Sequence, residues 1–263
     1  MIPLEDVCIP GVYTDDMPTA IVIVHTAEGF VCASDGLGSW GGNKEQKIFQ
    51  SCCQNWDIAY AIEGAASSPR RTGEDAFKTA YQEIAEELKS ETVKSLADYA
   101  NMFVHRVGER LQPEFAKGPL SDKHLIILYF AGYFRTVPSM ARRKIHFTCD
   151  GPRVTEMHDM VPLTGGSHYV AGSSCVTDKI LSGSSEFIPF RTPGFIKLKK
   201  SGSDSTITLD EAVEAAEKYI AACSTPDARK LDPDNCNGIG GETWIAVIDP
   251  KEFRWKRVPS PEL

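Results

Sequence analysis

The sequence lacks the short motifs that mark the common metal, nucleotide and serine-hydrolase sites. It contains no C-x-x-C pair, no H-E-x-x-H, no G-x-x-x-x-G-K-[ST] and no G-x-S-x-G. These absences argue against zinc ribbons, thioredoxin-type redox sites, zincin proteases, P-loop nucleotide sites and α/β-hydrolase elbows. The six histidines show no i, i+4 spacing. We therefore expect no metal site and no cofactor.

Long apolar runs and an excess of positive charge are also missing. No stretch approaches the roughly 18 apolar residues of a membrane span, and residues 1–18 carry acids but no Lys or Arg. The net charge of −8 argues against a general nucleic-acid or anionic-membrane surface. Most of the eight cysteines lie in apolar runs, which favours reduced, buried thiols. We expect a cytoplasmic protein with no nucleic-acid or membrane partner.

What is present is an ordinary globular composition, with 42% hydrophobic and 24% charged residues in 263 positions. Strand-like runs come first, two amphipathic helices follow, and then come more strands, one helix and a closing pair of strands. The helix stripes are Phe77, Tyr81, Ile84 and Leu88, then Leu96, Tyr99, Phe103, Val107 and Leu111. Elements grouped in this way predict antiparallel sheets covered by layers of helices.

Four later segments have weaker patterns. Residues 150–166 look loosely structured, and HYVAGSSCV reads as a short strand that ends in a Gly-Ser turn. Residues 182–206 read as a loop with one strand fragment, FIKLK, and residues 224–242 read as a long polar loop. Between these loops, Thr208 and Glu211 form a capping box that predicts the start of a helix.

The run from Thr19 to Asp35, TAIVIVHTAEGFVCASD, resembles the start of a mature proteasome β-type subunit. That family opens a strand with Thr, turns at a Gly and ends its second strand with an Asp sixteen positions later. Lys47 before an apolar strand, Gly64 after the next strand, the Gly172-Ser173 turn and the late Gly240-Gly241 pair follow in family order. HslV-type bacterial peptidases are the nearest comparison, and the resemblance covers about residues 19–250.

The resemblance implies an α+β fold of the N-terminal-nucleophile (Ntn) hydrolase type. This fold is a four-layer αββα sandwich of two antiparallel sheets flanked by helices. It also implies a leader, residues 1–18, ahead of one domain at residues 19–263. Family members assemble into stacked rings, so we expect a homo-oligomeric ring, with an ATPase or other regulator as a further partner. Peptides or unfolded proteins would be the substrates.

The resemblance also assigns roles to individual residues. Thr19 would be the nucleophile of a threonine endopeptidase, supported by Asp35, Lys47 and Ser173. A Thr hydroxyl needs a base, and the α-amine freed by removal of the leader has a pKa of about 7.7–8.0, near working pH. Lys47 would lower the pKa of the hydroxyl, and Asp35 would keep Lys47 charged. Substrate would meet Ser39, Ile62 and Gly64, with an oxyanion on the backbone N–H groups near Gly64.

Several positions depart from the family. Pro18 stands where Gly usually precedes the nucleophile, and proline fixes φ and lacks an N–H. Cys236 and Ile239 stand at the positions of the late family Asp and Ser, and Asp234 would replace that Asp only if its loop is longer by two residues. Three alternatives follow: a peptidase, a silent ring or binding subunit that keeps its leader, and an amidase for small amides. Taken singly, the site residues also suit ordinary structural roles.

Overall fold

The computed structural model describes residues 18–37, 45–54, 56–64, 76–115, 125–162, 167–199 and 206–259. Within these ranges the strands form two five-stranded sheets in which every neighbouring pair is antiparallel. The first sheet has the order β10-β9-β2-β1-β8. Its strands are β1 (Ile21–His25), β2 (Phe30–Ser34), β8 (His168–Ala171), β9 (Trp244–Ile248) and β10 (Phe253–Arg257).

The second sheet has the strand order β3-β4-β5-β6-β7. Its strands are β3 (Ile48–Cys53), β4 (Trp56–Gly64), β5 (Leu125–Phe134), β6 (Val137–Thr148) and β7 (Gly151–Met160). The two sheets pack face to face, since one apolar cluster joins side chains from both, among them Ile23 and Cys32 from the first and Ala59 and Tyr129 from the second. Alternation along each strand sends the remaining apolar side chains outward, where helices cover them.

Helices cover both outer faces. Helices α1 (Ala76–Leu88) and α2 (Leu96–Phe115) pack on the second sheet, α1 with Tyr81, Ile84 and Leu88 and α2 with its whole predicted stripe. The side chain of Phe77 lies outside the described residues. The outer face of the first sheet is covered by α3 (Ser174–Ser182), α4 (Pro193–Lys199), α5 (Leu209–Cys223), α6 (Pro226–Leu231) and α7 (Pro233–Cys236). The layers are therefore α, β, β and α, which confirms the predicted fold class. The capping box of Thr208 and Glu211 is present at the start of α5.

The structure corrects three of the weakly patterned segments and agrees with the fourth, the short strand that ends in a Gly-Ser turn. Strand β7 occupies residues 151–160, and its sequence hides it because β7 is an edge strand that is exposed on both faces. The FIKLK fragment is helical in α4, where Phe195 and Leu198 are buried at helical spacing. The Gly-Ser turn after β8 is present, but Cys175 and Val176 belong to helix α3 rather than to a strand.

The expected polar loop at 224–242 contains α6 and α7. Each helix begins with a proline at its first position, and the preceding side chain accepts a backbone hydrogen bond. Thr225 caps α6 and Asp232 caps α7. Proline suits this position because the first helical N–H has no partner within the helix. The helices are too short to show an apolar stripe, so charged composition alone suggested a loop.

Candidate functional site

Three polar residues predicted from the sequence meet at one end of the sheet pair. Thr19 lies two residues before β1, and Asp35 directly follows β2. The β1–β2 pairing continues beyond the strands, because the Asp35 amide donates to the Ala20 carbonyl at 3.1 Å and the Ala20 amide donates to Asp35 Oδ1 at 2.9 Å. Lys47 directly precedes β3 and approaches from the second sheet. The antiparallel hairpin therefore places Thr19 beside Asp35.

The Lys47 ammonium joins the other two side chains. Its Nζ lies 3.0 Å from both carboxylate oxygens of Asp35 and 3.5 Å from Thr19 Oγ1. Relative exposure is 3% for Thr19, 0% for Asp35 and 4% for Lys47. The Lys47–Asp35 ion pair is therefore buried and lies next to the Thr19 hydroxyl. Salt and solvent screen the charges of such a pair much less than those of a surface pair.

Further backbone donors hold the Asp35 carboxylate. Oδ2 accepts from the amides of Leu37 at 3.2 Å and Gly240 at 3.3 Å. Burial raises the pKa of Asp35, while the charge of Lys47 and the backbone donors Ala20 and Gly240 oppose that rise. The carboxylate is fixed in position by both sheets and by the loop before β9, so it can orient Lys47.

Ser173 lies two residues after the end of β8, the strand that pairs with β1, at the same end of the first sheet. Because Ala171 pairs with Ile21, extending the register places Ser173 opposite Thr19. Ser173 is the N-cap of α3, where its Oγ accepts from the Val176 amide at 3.1 Å. Its hydroxyl also donates to Asp232 Oδ2 at 2.5 Å.

Asp232 is a site residue that the sequence pattern does not indicate. The family spacing points to Cys236, or to Asp234 in a longer loop, whereas the carboxylate that bonds Ser173 belongs to Asp232. The Ser173 hydroxyl is the main cause that lowers the pKa of Asp232, and the bonds from Asn235 lower it further. An Asp directly before Pro233 is a helix-start signal that could have identified it. Cys236 is buried in the core over the first sheet.

Gly64 is required by its own backbone geometry. Its φ is +92°, and a Cβ there would lie 2.3 Å from the carbonyl oxygen of Leu125 on the paired strand. This close approach explains the glycine without any catalytic role, and the oxyanion role stays a prediction. Ile62 is fully buried against α1 and α2, and its amide donates to the Lys47 carbonyl at 3.0 Å. That bond fixes the end of β4 beside Lys47, and a role for Ile62 in a substrate pocket stays a prediction.

Beside Gly64, the Glu63 side chain faces a polar cavity between the sheets. Glu63 Oε2 accepts from the Tyr129 hydroxyl at 2.5 Å, and the Arg142 guanidinium lies 5.6 Å from the centre of the Tyr129 ring. The cavity has a volume of about 370 Å³. Its other lining residues are His158, Met160, His168, Tyr169, Val170, Ala171 and Gly172. It reaches the turn that carries Ser173, so it borders the candidate site.

Some predictions fall outside what the structure covers or tests. Ser39 and residues 1–17 lie outside the described residues. Among the described residues, no group of three or more His, Cys, Asp or Glu side chains is arranged to hold a metal ion. In the same part of the chain, no helix is both long and apolar enough to span a membrane. The catalytic roles of Thr19, Asp35, Lys47 and Ser173 stay predictions, although the geometry brings the first three into contact.

Comparison with known proteins adds evidence on the fold. No family model matches the sequence, and no curated protein matches it. Among solved structures, the chain is similar to Anbu, described as an ancestral beta-subunit, from Yersinia bercovieri. The match has a TM-score of 0.54 and 11% sequence identity, and it covers 90% of this chain and 86% of the other. At this identity the likeness shows a proteasome-like fold and nothing about activity.

Proposed function

We propose that this chain is a proteasome-type threonine peptidase that uses Thr19 as its nucleophile once the bond between Pro18 and Thr19 has been cut. One observation carries the proposal. The Lys47 ammonium lies 3.0 Å from both oxygens of a buried carboxylate and 3.5 Å from the Thr19 hydroxyl. A buried Lys–Asp pair costs desolvation free energy, so its contact with a hydroxyl at the start of a strand calls for a chemical explanation.

The chemistry needs a free amino group on Thr19. The neutral α-amine accepts the hydroxyl proton as Thr19 Oγ1 attacks the carbonyl carbon of the scissile bond. The tetrahedral intermediate collapses to an ester on Thr19, and the leaving amine takes the proton. Water then attacks the ester, and the α-amine of Thr19 again acts as the base. This step releases the second product and restores the Thr19 hydroxyl.

Lys47 and Asp35 act on this step through charge. The Lys47 ammonium favours the developing alkoxide on Thr19, and it disfavours the protonated form of the nearby α-amine, so the resting amine stays neutral and can act as the base. Asp35 holds that ammonium in place through two contacts of 3.0 Å. The bond from Ser173 to Asp232 supports the neighbouring turn, and in the proposed mechanism Ser173 orients the amino end of Thr19.

The same proposal extends to substrate and assembly. A peptide would add as an extended strand near Gly64 and Ser39, with the N–H groups at Gly64 receiving the oxyanion and Ile62 contributing to a side-chain pocket. We propose peptides or unfolded proteins as substrates. A cytoplasmic homo-oligomeric ring, with an ATPase or other regulator as partner, is proposed by analogy with the proteasome-like fold.

Intact mass of the purified protein tests the first requirement. Wild type and Thr19→Ala are expressed in parallel, and the intact mass of each is measured by mass spectrometry. Loss of residues 1–18 from the wild type alone would support Thr19 as a self-processing nucleophile. If both proteins retain residues 1–18, Thr19 has no free amine, and the peptidase proposal then requires trimming of the leader by another protease.

The alternative is a subunit that keeps its leader and cleaves nothing. Pro18 favours it, because a proline before the nucleophile restricts the turn that self-cleavage needs. Pro18 is also half-buried in the structure rather than freely exposed. In that case residues 1–18 remain attached, Thr19 remains an ordinary amide, and the fold serves as a ring or binding subunit.

A further inference from the structure

Pro18 occupies the space that a side chain at position 238 would need. A Cβ built on Gly238 would lie 2.7 Å from both Cδ and Cγ of Pro18 and 3.1 Å from its carbonyl oxygen. Carbon atoms in van der Waals contact stay about 3.5–4.0 Å apart, so no side chain fits there while Pro18 is in place. The space next to the Gly238 Cα is therefore filled by the ring and the carbonyl of the residue before Thr19.

The loop that carries Gly238 is held on both sides. Across it, the Ile239 amide donates to the Cys236 carbonyl at 3.2 Å, and both of these residues are fully buried. After it, the Gly240 amide donates to Asp35 Oδ2 at 3.3 Å, and its carbonyl accepts from the Gly36 amide at 3.0 Å. The loop thus has little freedom to move away from Pro18, and it is bonded to the same carboxylate that holds Lys47.

We propose that Gly238 is a positioning residue that forms a seat for Pro18 and fixes the bond between Pro18 and Thr19 as long as the leader is attached. The proposal rests on the proposed function and adds a state to it, the leader-bearing form. In that form the ring and carbonyl of Pro18 are held against Gly238, while Thr19 Oγ1 already lies near Lys47. The seat is needed only while residue 18 is present.

A double-mutant cycle in the full chain tests this contact. All proteins carry Thr19→Ala, so that the leader stays attached, and intact mass verifies that it does. The variants are Gly238→Ala, Pro18→Gly and the two together, compared by thermal unfolding. Gly240→Ala is the matched control in the same loop, because its Cβ would meet Leu37 at an ordinary 3.5 Å.

If Gly238 holds Pro18 in this way, Gly238→Ala should lower the Tm by about 2 °C or more, a shift typical of overpacking in a chain of this size. Adding Pro18→Gly should recover most of that loss, since it removes the ring that meets the new methyl group. Gly240→Ala should lower the Tm by less than Gly238→Ala. If Gly238→Ala alone fails to fold and the double variant folds, the proposal is supported.

Two results would overturn the proposal. One is a Gly238→Ala protein whose Tm equals that of its parent. The other is a loss, of stability or of folding, that remains equally large when Pro18→Gly is added. Because every protein in the cycle lacks the Thr19 hydroxyl, the outcome does not depend on catalysis. If the contact between Pro18 and Gly238 is refuted, the peptidase proposal is unaffected. If Thr19 proves inactive, the contact between Pro18 and Gly238 is unaffected.

Discussion

Replacing Lys47 by methionine isolates the buried ion pair at the centre of the site. Methionine keeps most of the side-chain volume and removes the charge that faces Asp35. The two side chains are 4% and 0% exposed, so the remaining carboxylate cannot reach water. Breaking a buried pair in this way typically costs about 3–5 kcal/mol. For a domain of this size that corresponds to a Tm lower by about 6–20 °C.

The loss should depend on pH in a defined direction. Burial already raises the pKa of Asp35, and the charge of Lys47 is the strongest influence that opposes the rise. Without Lys47 the folded-state pKa rises further above the unfolded value of about 3.9. The folded state then binds more protons than the unfolded state, so stability falls as pH increases through that window. Lowering the pH from 7 should therefore recover part of the loss, by up to about 1.4 kcal/mol per pH unit.

Thermal unfolding of Lys47→Met between pH 5 and 8 measures both effects. Lys230→Met is the surface control, because Lys230 is 78% exposed and pairs with the half-exposed Asp227. That control should change stability by about 0.5 kcal/mol or less. Adding Asp35→Asn to Lys47→Met should restore part of the loss by removing the unpaired charge. A Lys47→Met protein as stable as the control, or a loss that does not vary with pH, would refute the reasoning.

Two further predictions concern the supports of the site. Asp232→Asn removes the charged acceptor of Ser173, and we expect a loss of about 1 kcal/mol at pH 7. Because the pKa of Asp232 is lowered in the folded state, this loss should shrink as the pH falls from about 4 toward that lowered pKa. Urea titrations at pH 7 and 3 measure the loss, and a loss of equal size at both pH values would contradict the reasoning. Gly64→Ala places a methyl group 2.3 Å from the Leu125 carbonyl at a φ of +92°, so we expect a loss of about 1–3 kcal/mol by denaturant unfolding, and wild-type stability would contradict this reading.

The parts of the fold that the sequence predicts are those with a one-sided apolar pattern. The stripes of α1 and α2 and the buried runs of β1 and β2 all face cores, so their periodicity is visible in the residues. Strand β7 has no such pattern, since it is exposed on both faces at the edge of its sheet. FIKLK alternates over a few residues and so favours a strand, whereas the structure shows helix α4 there, with Thr192 capping its start.

In the candidate site, too, some residues could be predicted from the sequence and others could not. Asp35 is near Thr19 because the β1–β2 hairpin brings it there, and Lys47 is near because β3 of the second sheet begins at the same end. Their spacing along the chain already reflects that arrangement. Spacing along the chain could not identify Asp232, because its loop contains two short helices whose lengths cannot be predicted from the sequence. Position in the family pattern indicated Cys236, whereas the contact to Ser173 is made by a helix cap four residues earlier.

Covalent capture of Thr19 would test the central claim most directly. A chain that begins at Thr19, released from a fusion partner cut before that residue, is incubated with a peptide vinyl sulfone, and the adduct is located by peptide mass mapping. Thr19→Ala in the same format is the control. The account predicts one adduct per chain, on Thr19, together with hydrolysis of peptide substrates that Thr19→Ala lacks. A folded chain with a free Thr19 that neither takes up the probe nor cleaves peptides would contradict the proposed nucleophile.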